Sequence, residues 1–218
     1  QLAWLAAGLF VLSPVLYLAT FRLAPALVDR LGLAVAILVA PWIAMAALIL
    51  YTPLAAVAAV VIKRALIGKY EALTAPVWGG FYVRNWIVQR SVRAVPWRRL
   101  EGTVFQQLVL RALGARIGKR VHIHRGVMLT RGGWDLLDIG DDVTLSQDSA
   151  VRIAELDDGH LVFSPVVLGK GVTLGVHSGV GGYCVLEEGA MLADNTSLQD
   201  GTRVPAGERW DGIPGHPA

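Results

Sequence analysis

The sequence predicts two fold classes in one chain: an N-terminal α-helical transmembrane hairpin, then an all-β parallel β-helix. Two observations carry this. Seven aliphatic residues recur at intervals of six: Leu168, Leu174, Val180, Leu186, Leu192, Leu198 and Val204. Neither the 3.6-residue turn of an α-helix nor the two-residue alternation of a strand sustains that spacing. A stacked coil does, each hexad laying down one flat side and turning a corner. Upstream lie two charge-free apolar runs, residues 2–20 and 31–62, of 19 and 32 residues. A bilayer crossing needs roughly 20 helical residues, so each run is long enough to span once.

The hairpin occupies residues 1–66. Its second run carries Pro41 and Pro53, which favour kinks, and no polar turn divides it into two shorter spans. A cleavable leader fits residues 1–20 poorly, because no basic stretch precedes the apolar run and no small-x-small site follows it. The chain opens with Gln inside an apolar run, which reads as a piece of a longer polypeptide.

Residues 67–115 are predicted to form basic, aromatic amphipathic helices. Between Lys63 and Arg120 there are twelve Lys and Arg against two acids, Glu71 and Glu101; from Val121 onward there are six against fourteen. A basic stretch directly after a membrane helix places the β-helix on the cytoplasmic side of the bilayer. Trp78, Phe81, Tyr82, Trp86 and Trp97 among the arginines suit the headgroup layer. That position weighs against a nucleic-acid partner.

The β-helix covers 116–210. Four residues after each core aliphatic sits a small or short side chain, Val172, Ser178, Cys184, Ala190, Thr196 and Thr202. Ile117, Ile123 and Leu129 form an earlier run, and Ile139, Leu145 and Val151 another, whose short slots are Val143, Ser149 and Glu155. Residues 130–138 shift the phase by four, and the eleven residues from Val151 to Val162 predict a loop bulging from the stack around residues 156–160. Residues 211–218 form a tail. Cys184, the single cysteine, is a buried core thiol, and neither a disulfide nor a metal is expected.

The hexads, the segment Gly114-Ala115-Arg116-Ile117-Gly118-Lys119-Arg120-Val121 and the terminal Trp210-Asp211-Gly212-Ile213-Pro214 resemble the hexapeptide-repeat, left-handed β-helix acyltransferase superfamily. With the hairpin and the collar of Trp78, Tyr82 and Trp86, the chain resembles the membrane-embedded carboxyl-terminal region of ε-poly-lysine-synthetase-like nonribosomal peptide synthetases. That resemblance implies an acyltransferase-like domain joining a carrier-bound aminoacyl thioester to an amine. The donor would arrive on a phosphopantetheine arm. Tandem β-helix copies, or a second copy of the chain, would supply the neighbours. Two alternatives are a non-catalytic structural copy supporting active siblings or product export, and a stand-alone membrane acyltransferase acting on a sugar or lipid.

Aminolysis of a thioester needs a base for the amine and donors for the oxyanion. The resemblance implies one histidine as base on a loop or coil edge, and places Ala154 where that histidine is expected. Glu155, beside it, is a substitute base. His160, beside Asp157 and Asp158 on the phase-breaking loop, and His177, at a glycine-flanked corner, are the other candidates. Asp157 and Asp158 are expected to attract a cationic substrate, Gly181 and Gly182 to let its arm approach the backbone, and Trp210 to line the site. Glu187 and Glu188 read as a solvated corner. His122 and His124 flank the inward Ile123 and read as surface imidazoles, and His216 as a residue of the tail. A γ-type carbonic anhydrase shares the coil but needs three converging histidines, a spacing this chain does not show.

Overall fold

The computed structural model describes residues 13, 14, 17–129 and 131–218. Thirteen of the nineteen residues of the first apolar run, and with them most of the first arm of the expected hairpin, lie outside them. The chain divides into two compact units, Gln1–Pro53 and Leu54–Ala218. In the first, a short helix, Ala24–Leu31, ends at Gly32, whose φ of 77° suits a residue without Cβ. The next helix, Leu33–Leu66, has 34 residues and runs through both Pro41 and Pro53. It is about 51 Å long at 1.5 Å per residue. With a mean hydropathy of 2.6 and nearly all of its apolar window exposed, it is long and apolar enough to cross a membrane.

The basic segment is helical with one exception. Gly80–Arg93 buries Asn85, Val88, Ser91 and Val92, residues that fall on one helical face. Val104–Ala112 buries Gln106 and Leu110 and leaves Val104, Phe105 and Leu108 exposed. Between Leu66 and Gly80, however, Leu73–Pro76 is a strand, where helix was expected. Its partner is remote in sequence: it pairs antiparallel with His160–Phe163, Leu73 opposite Phe163 and Pro76 opposite His160. Pro76 sits on an edge, where its missing N–H costs nothing.

From Arg116 the chain winds as a coil with three faces. The first stacks Arg116–Ile117, Leu137–Ile139, Val166–Leu168, Val185–Leu186 and Arg203–Val204 in parallel. The second stacks His122–Ile123, Thr144–Leu145, Thr173–Leu174, Met191–Leu192 and Arg209–Asp211. The third is made by Met128, Ala150–Val151, Gly179–Val180 and Ser197. Leu174, Leu186, Leu192 and Val204 are fully buried, as are the short slots Val172, Cys184, Ala190 and Thr196, so the six-residue rule places both classes inside. Gly171, His177, Tyr183, Gly189, Asn195, Gly201 and Gly207, again every sixth residue, form corners with positive φ. The tail does not trail off: His216–Pro217 pairs antiparallel with Arg209–Asp211.

Two insertions interrupt this winding. Ten residues separate the core positions Leu129 and Ile139, and seventeen separate Val151 from Leu168, where six would suffice. The second break is longer than the aliphatic spacing suggests. Val162 does not resume the coil but lies in a β-hairpin, Ala154–Asp157 with His160–Phe163, and Glu155 is in that hairpin rather than in a short slot. The true slot residue is the fully buried Val166.

The first insertion makes a buried polar junction. Asp135 Oδ2 accepts from Lys63 Nζ at 2.6 Å and from the Tyr70 N–H at 2.9 Å, and Tyr70 Oη donates to Asn85 Oδ1 at 2.7 Å. Burial, then the Asp135 charge, pushes the Tyr70 hydroxyl well above the ordinary phenol range. Tyr70 also packs against Phe81, Trp134 and Phe163, with ring centroids 5.1–6.4 Å apart.

Candidate functional site

The hairpin, the first insertion and the helix Gly80–Arg93 together wall a cleft of about 950 Å³ on the third face. Ala154, Glu155 and Asp157 come from the hairpin, Arg131 from the first insertion and Arg93 from the helix; Arg152, Ser164, Gly182 and Asp200 come from the coil. The walls are therefore charged with both signs, a chemistry suited to a ligand that is itself polar at both ends.

Arg152 organises one side. Its Nη1 lies 3.2 Å from Glu155 Oε1, and its Nη2 donates to the Leu198 carbonyl at 3.2 Å. Its Nε is buried and has no hydrogen-bond partner among the described residues. Asp200 organises the other side: its Oδ1 accepts from the Gly182 N–H at 2.9 Å. One coil is 18 residues, so residues 182 and 200 stack directly. Asp194 repeats the device for the N–H of Val176 at 2.7 Å. Such side chains satisfy corner N–H groups that the parallel ladders leave over.

The structure brings together only some of the residues singled out from the sequence. Glu155, Asp157 and Gly182 line the cleft, as does Ala154 at the place where a histidine was expected. His160 and Asp158 sit on the exposed tip of the hairpin, with His160 Nδ1 2.8 Å from the Asp158 carbonyl, outside the cleft lining. His177 occupies one of the six-spaced corners with φ 55°, a slot filled elsewhere by Gly, Tyr or Asn. Gly181 and Gly182 do not leave open space. A Cβ on Gly181 would stand 2.2 Å from Asp200 Oδ1, and one on Gly182 2.5 Å from Ser164 Cβ, so the chain itself fills the room assigned to a substrate arm. Trp210 takes the core position that follows Leu192 on the second face. It closes the apolar column, with Nε1 donating to Glu208 Oε2 at 2.8 Å, and does not reach the cleft. Glu188 and Glu187 pair with Lys170 and Arg203 across the coil surface.

The cleft residues that sequence reasoning passed over are Arg93, Arg131, Arg152 and Asp200. Asp200 was legible, because a coil of three hexads stacks it on the singled-out Gly182. The arginines were hidden inside the general basic count.

No family model matches the chain. In sequence it is 34% identical over 164 residues to the delta-poly-L-ornithine synthetase of Acinetobacter baumannii, a match covering 70% of this chain and 11% of that protein. The chain thus spans about a ninth of that relative's length. It is 29% identical over 117 residues to gamma carbonic anhydrase 2, mitochondrial, of Arabidopsis thaliana, covering 45% of this chain and 41% of that protein. Among solved structures, a maltose O-acetyltransferase from Clostridium difficile 630 superposes with a TM-score of 0.48 and 13% identity, over 67% of this chain and 91% of the other. The resemblance to hexapeptide-repeat proteins, and to a synthetase of an amino-acid polymer, stands.

Proposed function

We propose that this chain is an acyl-transferring, left-handed β-helix domain of an amino-acid-polymer synthetase. The helix Leu33–Leu66, as one arm of a hairpin, would hold it against the cytoplasmic face of a membrane. The 34% identity to a poly-ornithine synthetase over 164 residues carries this reading. The donor is an aminoacyl thioester on a phosphopantetheine arm, and the acceptor is the amine of a cationic amino acid or growing chain. Tandem copies or a second copy of the chain would complete the open side of the cleft.

The charged walls divide the work. Asp157 and Asp200 offer carboxylates to a side-chain ammonium, as in the ornithine that names the relative. Glu155 receives a proton from the acceptor ammonium, freeing the nitrogen lone pair. The nitrogen attacks the thioester carbonyl carbon; the C–N bond forms, the C–S bond breaks, and the sulfur departs as a thiol. Of the two protons the ammonium loses, one reaches the sulfur and the other passes to water. Arg152, already turned toward Glu155, orients that carboxylate.

A specific observation favours a second reading, in which the domain is a structural copy beside active siblings. Ala154 stands at the expected place of the base, and among the described residues no imidazole lines the cleft. Glu155→Gln in the full-length protein separates the two. Loss of the base is expected to lower polymer formation, followed by mass spectrometry from carrier-loaded enzyme, by about 10²-fold or more. Undiminished product in this variant and in His160→Ala and His177→Ala alike transfers the domain to the structural reading. His160→Ala and His177→Ala are run beside it, and a loss in either one moves the base there.

A further inference from the structure

A second groove, of about 460 Å³, lies on the second face of the coil, between the strand His122–Ile123 and the start of the helix Val104–Ala112. It is the cleft among those described that imidazoles line. We propose that His122 and His124 form a two-imidazole site for a borderline-soft divalent cation, zinc or copper.

Three observations support the assignment. The two residues flank the buried Ile123, and strand alternation puts both rings on the outer side. Their backbones are fixed by the parallel ladder, the His122 N–H donating to Val143 O at 2.8 Å and the His124 N–H to Leu145 O at 3.0 Å. The ring centroids stand 5.1 Å apart with the planes 69° from each other. Two imidazoles bound to one ion at about 2.0–2.1 Å, with a near-tetrahedral angle between them, place their centroids on the order of 5 Å apart. The observed separation therefore needs little movement on binding.

Three other polar side chains of the groove each donate a hydrogen bond elsewhere. Thr103 Oγ1 donates to Leu100 O, Gln107 Nε2 to Val121 O, and Gln147 Nε2 to Asp148 Oδ2. Among the described residues neither imidazole makes a hydrogen bond or ion pair, which leaves their nitrogens available. Arg125, also in the lining, opposes a cation, and no group of three or more His, Cys, Asp or Glu comes together among the described residues. The site is therefore open, with water in the remaining positions and exchangeable metal. Nitrogen ligands favour copper and zinc over magnesium and calcium.

Titration calorimetry on the full chain, free of any histidine tag and in detergent, tests this with zinc chloride, copper sulfate and magnesium chloride. One zinc or copper ion per chain is expected, with no heat from magnesium. Binding should weaken as the pH falls, since imidazole ligates only when neutral. His122→Ala and His124→Ala should each weaken zinc by at least tenfold. Unchanged affinity in both variants overturns the site. Electron paramagnetic resonance of the copper-loaded wild type gives a check that needs no variant: coupling to two imidazole nitrogens is expected, and its absence sinks the assignment. This inference is independent of the acyl-transfer reading, because binding is read without turnover.

Discussion

The coil from Val166 to Trp210 and the stretch from Lys63 to Ser164 differ in how they are held together. The first winds without interruption, each turn repeating the last at 18 residues, and its buried side chains are almost all aliphatic or small. The second is broken twice and buries a charge pair, a phenol and an aromatic cluster. Its breaks are also what wall the charged cleft. Regularity supplies the scaffold, and departures from it supply the chemistry, as is usual for loops on rigid frames.

The largest expected effect therefore falls in the interrupted region. Lys63 and Asp135 are 4% and 12% exposed in their side chains, so Asp135→Asn leaves a nearly buried ammonium without its counter-charge. Breaking such a pair costs about 3–5 kcal/mol. Thermal unfolding in detergent should show the loss, and the double variant Lys63→Met, Asp135→Leu should recover part of it. Lys170–Glu188 is the control in the regular coil. That pair is 3.5 Å apart with side chains 61% and 69% exposed, and Glu188→Gln should change stability by well under about 1 kcal/mol. Equal losses in the two variants would erase the distinction between the regions.

What the sequence made legible follows the same line. A period of six announces itself within a few hexads, so Leu168 to Val204 could be assigned to the core one by one. Long-range pairings leave no such mark. Lys63 finds Asp135 72 residues away, and Leu73 finds Phe163 across 90. Lys63 reads locally as a membrane flank, and Asp135 as part of a phase shift. For the site, the loop that became the hairpin was visible as a break, but its length was not, because Val162 mimics a core aliphatic. His177 looked functional because it stands among glycines. The glycines at 171, 189, 201 and 207 fall on the same six-residue corner lattice, a signal that identifies its slot as backbone geometry.

A middle-sized effect tests the regular coil itself. At Gly175 a Cβ would meet the Ala193 carbonyl carbon of the next coil at 2.6 Å, a backbone contact that cannot swing aside. Gly175→Val is expected to destabilise by about 1–3 kcal/mol, as overpacking does. Its effect should stay in the coil, leaving near-ultraviolet dichroism from Tyr70 and Trp134 unchanged below the transition. A variant as stable as the wild type would mean that adjacent coils stand further apart in solution.

The smallest expected effect lies at an exposed corner within the interrupted region. Arg120 Nε and Nη2 donate to the two carboxylate oxygens of Asp142 at 2.6 and 2.7 Å. That hydrogen bonding, more than the charge alone, holds the Asp142 carboxyl below its ordinary value. A carboxyl whose folded value lies below its unfolded one, about 3.9, stabilises the fold at higher pH. The contribution is complete above the unfolded value and disappears as the pH falls through the folded one. Arg120→Gln should thus lower the unfolding temperature slightly near neutrality, with the gap from the wild type closing as the pH falls through the folded value. Added salt should also narrow it, since both partners face water. A gap that persists in acid and in salt would assign the arginine's effect to its methylene stem packed along the coil, and would remove the ion pair from the account of that corner.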